Sequence, residues 1–356
     1  MEEKSFNIRD AKPEDCAAVM RMITELAAFG KREDKVENTT EGLKKDIFDS
    51  DGLASCLVAE YKRPGNDKSE VIGYSVFYYA YSTMKGKGVF MEDLYIMEEF
   101  RGRGYGRSLM KRVAQIALEK GCQRMQWEVL GWNKPAIKLY ESVNSTDLTA
   151  TEDWHKIVLS KEYFLQFANN CLYLIYCFGA IKAHKIMEEE RFNIREAMPE
   201  DCAAVMRMIT ELAVFENAEK EVQNTTEGLK KDIFDSGGLV SCLVAEYKRP
   251  ENETSEVIGY SIFFYTYSTW KGKVVYMEDL YIMKEFRGRG YGRSLMKRVA
   301  QTGVEKGCQR MQWAVLGWNK PAIKLYESLN STDLTATEDW HMITLFKEQF
   351  LQFANN

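Results

Sequence analysis

A glycine-rich loop, Arg101-Gly102-Arg103-Gly104-Tyr105-Gly106, lies between a strand pattern and a helix pattern, and its six residues recur at 287–292. Backbone N–H groups and the positive dipole end at a helix start favour an anion, and glycine lets a phosphate approach the backbone closely. The spacing matches neither the usual dinucleotide loop nor a P-loop. The residues alone leave two interpretations open: a pyrophosphate site, or the ordinary start of a helix.

The chain that carries these loops is itself a repeat. Residues 1–170 align without gaps to residues 187–356 at an offset of 186, and the two copies differ at 32 of 170 positions. The repeated unit is far longer than the roughly 20–50 residues of solenoid repeats, so it is a complete domain. We therefore expect domains at 1–170 and 187–356, joined by a connector at 171–186. Sixteen extended residues reach roughly 53–58 Å, which allows an intramolecular pseudo-dimer.

Composition limits the class of protein. The 356 residues are 45% hydrophobic and 28% charged, which excludes a disordered chain, and the net charge of −5 argues against nucleic-acid binding. No apolar segment has the ~20 residues that a membrane span needs, so we expect a cytoplasmic protein. The eight cysteines form no CxxC pair, and His155 and His341 lack the companions of a metal site, so no metal is expected.

Helix and strand patterns alternate within each copy. In the first copy, CAAVMRMITELAAF, GRSLMKRVAQIALEKG and NKPAIKLYESV have helical apolar spacing, and Asn133 precedes the last of them as a candidate cap. The segments SCLVAEY, VIGYSVFYYAYS, GVFMEDLYIM and RMQWEVLGW are typical of strands. This mixture predicts an α/β (α+β) fold with a central mixed sheet flanked by helices in each copy.

The loop and its neighbours also resemble a known family. An Arg/Gln-x-x-Gly-x-Gly/Ala pattern between a strand and a helix resembles the acetyl-CoA signature of the GNAT acetyltransferases. The motifs YSTWKGK, MEDLYIM, GWNKPAIKLY and TEDWH together resemble the diamine (spermidine/spermine) branch, above all its thialysine acetyltransferase members. The resemblance implies two tandem GNAT-like domains that use acetyl-CoA as co-substrate. The cofactor contacts that it implies are Leu94, Tyr95, Ile96, Arg101, Gly102, Arg103, Gly104, Tyr105, Gly106 and Asn133 in copy one, and Leu280, Tyr281, Ile282, Arg287, Gly288, Arg289, Gly290, Tyr291, Gly292 and Asn319 in copy two.

Such a reaction needs a base and an acid. An alkyl ammonium with a pKa near 10 must lose a proton before it attacks, and the resemblance favours Glu92 and Glu278 as water-linked bases. Alternatively, one of each adjacent carboxylate pair simply faces solvent. The resemblance likewise places Tyr140 and Tyr326 where a general acid protonates the leaving thiolate. Helical spacing allows the alternative that these tyrosines belong to the core.

Two differences between the copies fall where the resembling family contacts the acceptor. Gly30 corresponds to Glu216, and Met84 corresponds to Trp270. A tryptophan face holds a cation and a carboxylate pairs with one, whereas glycine and methionine do neither. Copy two is therefore expected to have the better amine site. The expected acceptor-binding residues are Asp93, Asp279, Glu216 and Trp270.

The sequence thus predicts an acetyl-CoA-dependent N-acetyltransferase. Its acceptor would be a primary amine of a small diamine, polyamine or thialysine-like molecule, which attacks directly in a ternary complex. The expected partners are the small-molecule amine and a second domain, in a pseudo-dimer or a homo-oligomer, with no nucleic acid and no membrane. The alternative is a CoA-binding pseudoenzyme or dimerisation partner in which copy one is inactive.

Overall fold

The computed structural model describes residues 5–49, 52–149, 153–169, 191–235, 238–250, 254–338, 340–345 and 347–355, so the connector expected at 171–186 lies outside the described residues. In the first repeat the strands and helices follow one another in the order β1 (Phe6–Asp10), α1 (Cys16–Phe29), α2 (Thr40–Phe48), β2 (Ser55–Lys62), β3 (Ser69–Ser82), β4 (Gly86–Ile96), α3 (Tyr105–Glu119), β5 (Met125–Leu130), α4 (Lys134–Glu141), β6 (Thr146–Asp147), β7 (Trp154–Leu159) and α5 (Lys161–Asn169).

The second repeat follows the same order, with one further described helix, at Leu334–Glu338, before its last strand. Its elements are β8 (Phe192–Glu196), α6 (Cys202–Phe215), α7 (Thr226–Lys230), β9 (Ser241–Lys248), β10 (Ser255–Ser268), β11 (Gly272–Ile282), α8 (Tyr291–Glu305), β12 (Arg310–Leu316), α9 (Lys320–Glu327), β13 (Thr332–Asp333), α10 (Leu334–Glu338), β14 (Trp340–Leu345) and α11 (Lys347–Asn355). No helix in these ranges is long and apolar enough to cross a membrane.

Two seven-stranded mixed sheets form the centre of the protein. Their strand orders are β1-β2-β3-β4-β5-β14-β6 and β13-β7-β12-β11-β10-β9-β8. Among the described strands, β4 with β5 and β11 with β12 pair in parallel, and the other neighbours are antiparallel. Helices α3 and α8 each bury one apolar stripe on a sheet, as their sequence patterns predict. The expected fold class, a mixed sheet flanked by helices in each copy, is confirmed.

The last strand of each repeat belongs to the sheet of the other repeat. Strand β14 pairs with β5 from Trp340 opposite Leu130 to Leu345 opposite Met125. Strand β7 pairs with β12 in the same register. The helix after each exchanged strand also packs on the other repeat. Phe350 of α11 is buried in the core of the first sheet, and Phe164 of α5 is buried in the core of the second.

This exchange links the repeats into one structure. His155 on β7 lies 2.6 Å from Asp333 of the second repeat (Nδ1 to Oδ2), and His341 on β14 lies 2.7 Å from Asp147 of the first. Both histidines therefore anchor an exchanged strand. Strands β3 and β10 also pack against each other between the sheets. Each sheet, together with the helices packed on it, therefore contains the last strand and the last helix of the other sequence repeat.

Candidate active site

A β-bulge sets the position of Glu92. In the pairing of β3 with β4, Val76 lies opposite Asp93 and Phe77 opposite Met91, so Glu92 has no partner across the ladder. A bulge inserts one residue, bends the strand and changes the direction of the side chains that follow. The side chains of Glu92 and Asp93 therefore do not alternate between the two faces of the sheet as they would in a regular strand. Strand β11 has the same bulge, with Glu278 as the extra residue.

The two bulged glutamates lie in a low-dielectric environment. Burial, reinforced by repulsion from the neighbouring aspartate, raises the pKa of both Glu92 and Glu278 to about 8. Positive charges oppose the shift: first Lys156 and then Arg310 of the second repeat for Glu92, and Arg124 of the first repeat for Glu278. A carboxylate with a pKa near 8 accepts a proton from an ammonium more readily than an ordinary glutamate does.

The neighbouring aspartate is held by residues from both repeats. Asp93 is only 8% exposed, accepts a hydrogen bond from the Tyr74 hydroxyl at 2.8 Å, and accepts another from Thr269 of the second repeat. Burial nevertheless raises the pKa of Asp93 to about 6. In the second repeat, Asp279 is held in the same way, with Thr83 of the first repeat as a donor. Each acidic pair thus depends on a threonine of the other copy.

These threonines belong to hairpin turns that cross between the repeats. The turn after β3 reaches the second repeat, where the Met84 carbonyl accepts hydrogen bonds from the backbone N–H groups of Gln223 at 2.8 Å and Asn224 at 2.9 Å. The turn after β10 reaches the first repeat, where the Trp270 carbonyl accepts from Glu37 and Asn38, both at 2.9 Å.

The crossing corrects the expectation that Glu216 and Trp270 serve one site. Trp270 packs against the first repeat's buried cluster, which includes Ile23 and Tyr95, although it is a residue of the second repeat. Glu216, at the end of α6, stays with the second repeat and shares a cavity with Met84. Glu216 and Trp270 therefore lie at different sites.

A cavity of about 610 Å³ brings several of the expected residues together. Those of the second repeat are Glu216, Glu278, Asp279, Leu280, Asn319 and Tyr326. The first repeat supplies the turn Ser82–Lys85, Arg124 and the exchanged residues Trp154–Lys156. Trp270 is not part of this lining. Volumes between roughly 300 and 1,000 Å³ are typical of small-molecule sites.

The two expected general acids are buried beside these carboxylates. Tyr140 and Tyr326 are each 8% exposed, and their rings lie 4.9 Å from those of Trp127 and Trp313 respectively. Burial raises the pKa of both tyrosines above the ordinary value, and nearby carboxylates add to the effect. Each hydroxyl therefore stays protonated at neutral pH. The core packing that the sequence allowed as an alternative is present, together with an electrostatic interaction with one aspartate, Asp93 for Tyr140 and Asp279 for Tyr326.

The glycine-rich loops have the geometry of an anion cradle. Gly102 and Gly104 have φ values of 75° and 83°, a region that suits glycine, and an added Cβ at either would meet no atom within 4 Å. Gly104 is the N-cap of α3 and offers no side-chain hydrogen bond to the first amides of that helix. Gly288 and Gly290 repeat this geometry at 78° and 86°. The residues thus fit a phosphate group.

Other loop residues have structural partners. The Arg101 Nε donates to the Ile96 carbonyl at 2.8 Å, and the Tyr105 ring stacks on Phe6 with centroids 4.0 Å apart. An added Cβ at Gly106 would make only an ordinary contact, at 3.8 Å. Arg287, Tyr291 and Gly292 have the same environments in the second repeat. Tyr105 and Gly106 would therefore reach a phosphate through their backbone, not through side chains.

The remaining expected cofactor contacts surround the loop. Asn133 caps α4 by accepting from the Ala136 N–H at 3.3 Å, as its position in the sequence indicates, and Asn319 caps α9. The Tyr95 hydroxyl donates to Glu25 at 2.9 Å. That side chain faces α1, so Leu94 to Ile96 would offer a ligand chiefly their backbone. Tyr281 makes the equivalent bond to Glu211 at 2.8 Å.

Sequence reasoning missed the residues that each site borrows from the other repeat. Thr83 and Thr269 bond the aspartates, and Arg124 and Arg310 face the bulged glutamates. The sequence does show a charged residue at the start of an apolar strand, Arg124 just before β5 and Arg310 in β12, and this was the available signal for the two arginines. Nothing in the sequence indicates that their partners belong to the opposite copy. Among the described residues, no group of three or more His, Cys, Asp or Glu is arranged to hold a metal ion.

Comparison with known sequences agrees with this geometry. The sequence model of the Acetyltransferase (GNAT) family matches residues 20–144 and again residues 206–330, at the same offset as the repeat. Thialysine N-epsilon-acetyltransferase of Mus musculus is 44% identical over 150 residues, which are 42% of this chain and 88% of the relative. Spermidine/spermine N(1)-acetyltransferase-like protein 1 of Homo sapiens is 34% identical over 164 residues, which are 46% of this chain and 24% of that protein.

A solved structure supports the tandem arrangement of the fold. A tandem GNAT protein from the clavulanic acid biosynthesis pathway matches with a TM-score of 0.50 and 12% identity, over 96% of this chain and 98% of that one. At this identity the likeness concerns the fold alone. The two family matches and the identity with these relatives show that the chain belongs to the GNAT acetyltransferase family, as a tandem N-acetyltransferase of the diamine branch.

Proposed function

We propose that the protein transfers an acetyl group from acetyl-CoA to a primary amine of a small diamine, polyamine or thialysine-like acceptor, by direct attack in a ternary complex. The observation that carries the proposal is the shared cavity of the second repeat. Glu278, Tyr326 and Asn319, to which the family resemblance assigns the roles of base, acid and cofactor contact, line the same cavity of about 610 Å³. The names of the similar proteins support the same class of acceptor.

Acetyl-CoA would supply the thioester and the leaving thiol. The cradle at Arg101–Gly106 would hold its pyrophosphate through helix N–H groups, with Arg287–Gly292 doing so in the second repeat. The edge Leu94–Ile96 would offer backbone groups to the pantetheine chain, and Leu280–Ile282 would do the same. These contacts orient the thioester carbonyl toward the bulge, where the acceptor amine is held.

The proton transfers follow from the local electrostatics. Glu278, with a pKa of about 8, takes the proton of the acceptor ammonium, directly or through a water molecule. The freed amine forms a bond to the carbonyl carbon as the carbon–sulfur bond breaks. Tyr326 gives its proton to the departing thiolate, and the second proton of the attacking nitrogen, lost as the amide forms, restores the Tyr326 hydroxyl through water. Glu92 and Tyr140 perform the same steps in the first repeat, and Asp93 and Asp279 attract the acceptor ammonium.

An acetyl-CoA turnover assay on the intact chain tests this proposal. CoA release is followed with a panel of amines: a monoamine, short diamines, spermidine, thialysine and lysine. We expect turnover with diamines or thialysine, and initial-rate lines that intersect when both substrates are varied, as a ternary complex requires. CoA binding without turnover for any amine would favour the pseudoenzyme alternative instead. Parallel lines would contradict direct attack.

A further inference from the structure

The crossing hairpins make the two acceptor sites chemically different, in a way that neither repeat shows by itself. We infer that the site at Glu278 selects acceptors with a second cationic group through Glu216, whereas the site at Glu92, which has Trp270 and Gly30 instead, discriminates little between monoamines and diamines. This inference rests on the proposed acetyltransferase function and specifies the acceptor preference of each site.

Glu216 is placed to meet the far end of an acceptor. It follows the last turn of α6 and lines the same cavity as Glu278, Asp279 and Tyr326. Among the described residues, no hydrogen bond or ion pair engages its carboxylate. Burial, with repulsion from Asp279, raises its pKa to about 8. A bound ammonium would supply the missing opposite charge and favour the ionised form.

The same cavity holds a second unpartnered group. Gln312 is 5% exposed and lines the cavity, and its side-chain nitrogen has no hydrogen-bond partner among the described residues. The equivalent Gln126 donates to Thr344 at 3.2 Å, whereas Gln312 lies opposite Val158 of the exchanged strand. A buried polar group without a partner is costly, so this cavity suits a polar ligand.

The first site has a glycine where the second site has the carboxylate of Glu216. At the end of α1, Gly30 has the conformation that Glu216 has at the end of α6, with φ of −78° and −87° respectively. The turn that reaches this site presents Trp270, whose indole nitrogen is buried without a hydrogen-bond partner among the described residues. An indole face attracts a cation, but less selectively than a carboxylate at a partly buried position.

The difference between the two sites predicts different ratios of kcat/KM for a diamine and for a monoamine. The second site is assayed in an E92Q chain and the first site in an E278Q chain, each with butane-1,4-diamine and butylamine as the matched probes. We expect the second site to prefer the diamine in kcat/KM by at least about tenfold, and the first site to show a preference of only about threefold or less. In the E92Q chain, E216Q should reduce the preference about tenfold, because the isosteric amide removes only the charge.

Three further variants test the crossing itself. G30E should raise the diamine preference of the E278Q chain, since its backbone already has the conformation of Glu216 and the nearest atom to an added Cβ, the Ala27 carbonyl oxygen, is 3.3 Å away. W270M should change the KM for amines more in the E278Q chain than in the E92Q chain, although Trp270 belongs to the second repeat. M84W, which enlarges a side chain that lines the second site, should do the reverse.

Equal diamine preference at both sites, or an unchanged ratio in E216Q, would overturn the inference. A larger effect of W270M on the second site would also overturn it. In each case amine acetylation itself would persist, so the proposed function would stand. Absence of turnover in both single-site chains and in the unmodified chain, with every amine, would instead contradict the proposed function on which the inference rests.

Discussion

The side-chain amide of Gln126 donates a hydrogen bond to the hydroxyl of Thr344, 3.2 Å away, across 218 positions of sequence. The two residues are register partners on β5 and β14. Without the exchange of strands, Thr344 would lie beside Gln312 of its own repeat. This contact therefore distinguishes the exchanged arrangement from two separate copies, and the exchange is what ties the two sites into one molecule.

Paired cysteines test the exchange. Directly opposed residues of antiparallel strands have Cβ atoms about 4.5–5.5 Å apart, close to what a disulfide requires. We expect the chain with Q126C and T344C to form a disulfide on mild oxidation, detected by mass spectrometry as a peptide that links the two positions. The matched pair Q312C and T344C should form little of it. The opposite pattern would show that each last strand stays in its own repeat.

Substitution of a loop glycine tests the phosphate cradle. Gly102 has a φ of 75°, so G102A should strain the loop by about 1 kcal/mol and raise the KM for acetyl-CoA several-fold. Gly121, beyond the end of α3, has a φ of 78° and open space around it. G121A is the matched control, with a similar loss of stability and an unchanged KM. Equal effects on KM would indicate that the loop acts only through stability.

Removal of one hydroxyl tests the general acid. In an E92Q chain, Y326F should lower kcat by about 10²-fold or more and leave the KM for acetyl-CoA within about twofold. The phenyl ring retains the contact with Trp313, so the core should stay intact. Y265F, which removes a hydroxyl from a tyrosine outside the cavity, is the control. A full kcat in Y326F would leave Tyr326 with a packing role alone.

The raised pKa values of the bulged glutamates predict how stability changes with pH. Glu92 and Glu278 have pKa values of about 8 in the folded protein and about 4.5 when unfolded, so the folded state binds more protons between these limits. The free energy of unfolding contributed by these groups therefore falls as pH rises from 4.5 to 8. The double variant E92Q/E278Q should gain a few degrees of Tm over the unmodified chain at pH 9. Thermal unfolding by circular dichroism at pH 5, 7 and 9 measures this difference, and a Tm difference that does not grow with pH would contradict the assignment.

Much of this structure follows from local sequence rules. The strands, the helices, the Asn133 cap and the loop glycines are local features, and the structure agrees with each of them. The GNAT family and the duplication are likewise visible in the residues. These properties depend on neighbours within a few positions, or on direct comparison of one copy with the other.

The exchange could not be predicted, because the two copies are too similar. Strands β7 and β14 read WHKIVL and WHMITL, and either is compatible with β5 or β12. Pairing within a repeat and pairing between repeats should therefore have nearly equal energies, so the sequence does not indicate which of the two forms. The bulge at Glu92 has no signature either, because the strand remains β-like on both sides of it. For this reason, the comparison of copies placed Trp270 with Glu216, and only the crossing of the hairpins separates them.

One measurement decides whether the chain holds two acetyltransferase sites that use Glu92 and Glu278 as bases. Amine-dependent CoA release is measured at saturating acetyl-CoA for the unmodified chain, E92Q, E278Q and the double variant. We expect each single variant to keep part of the rate and the double variant to lose at least about 10²-fold. A double variant that turns over at the rate of the unmodified chain would show that neither glutamate is the base.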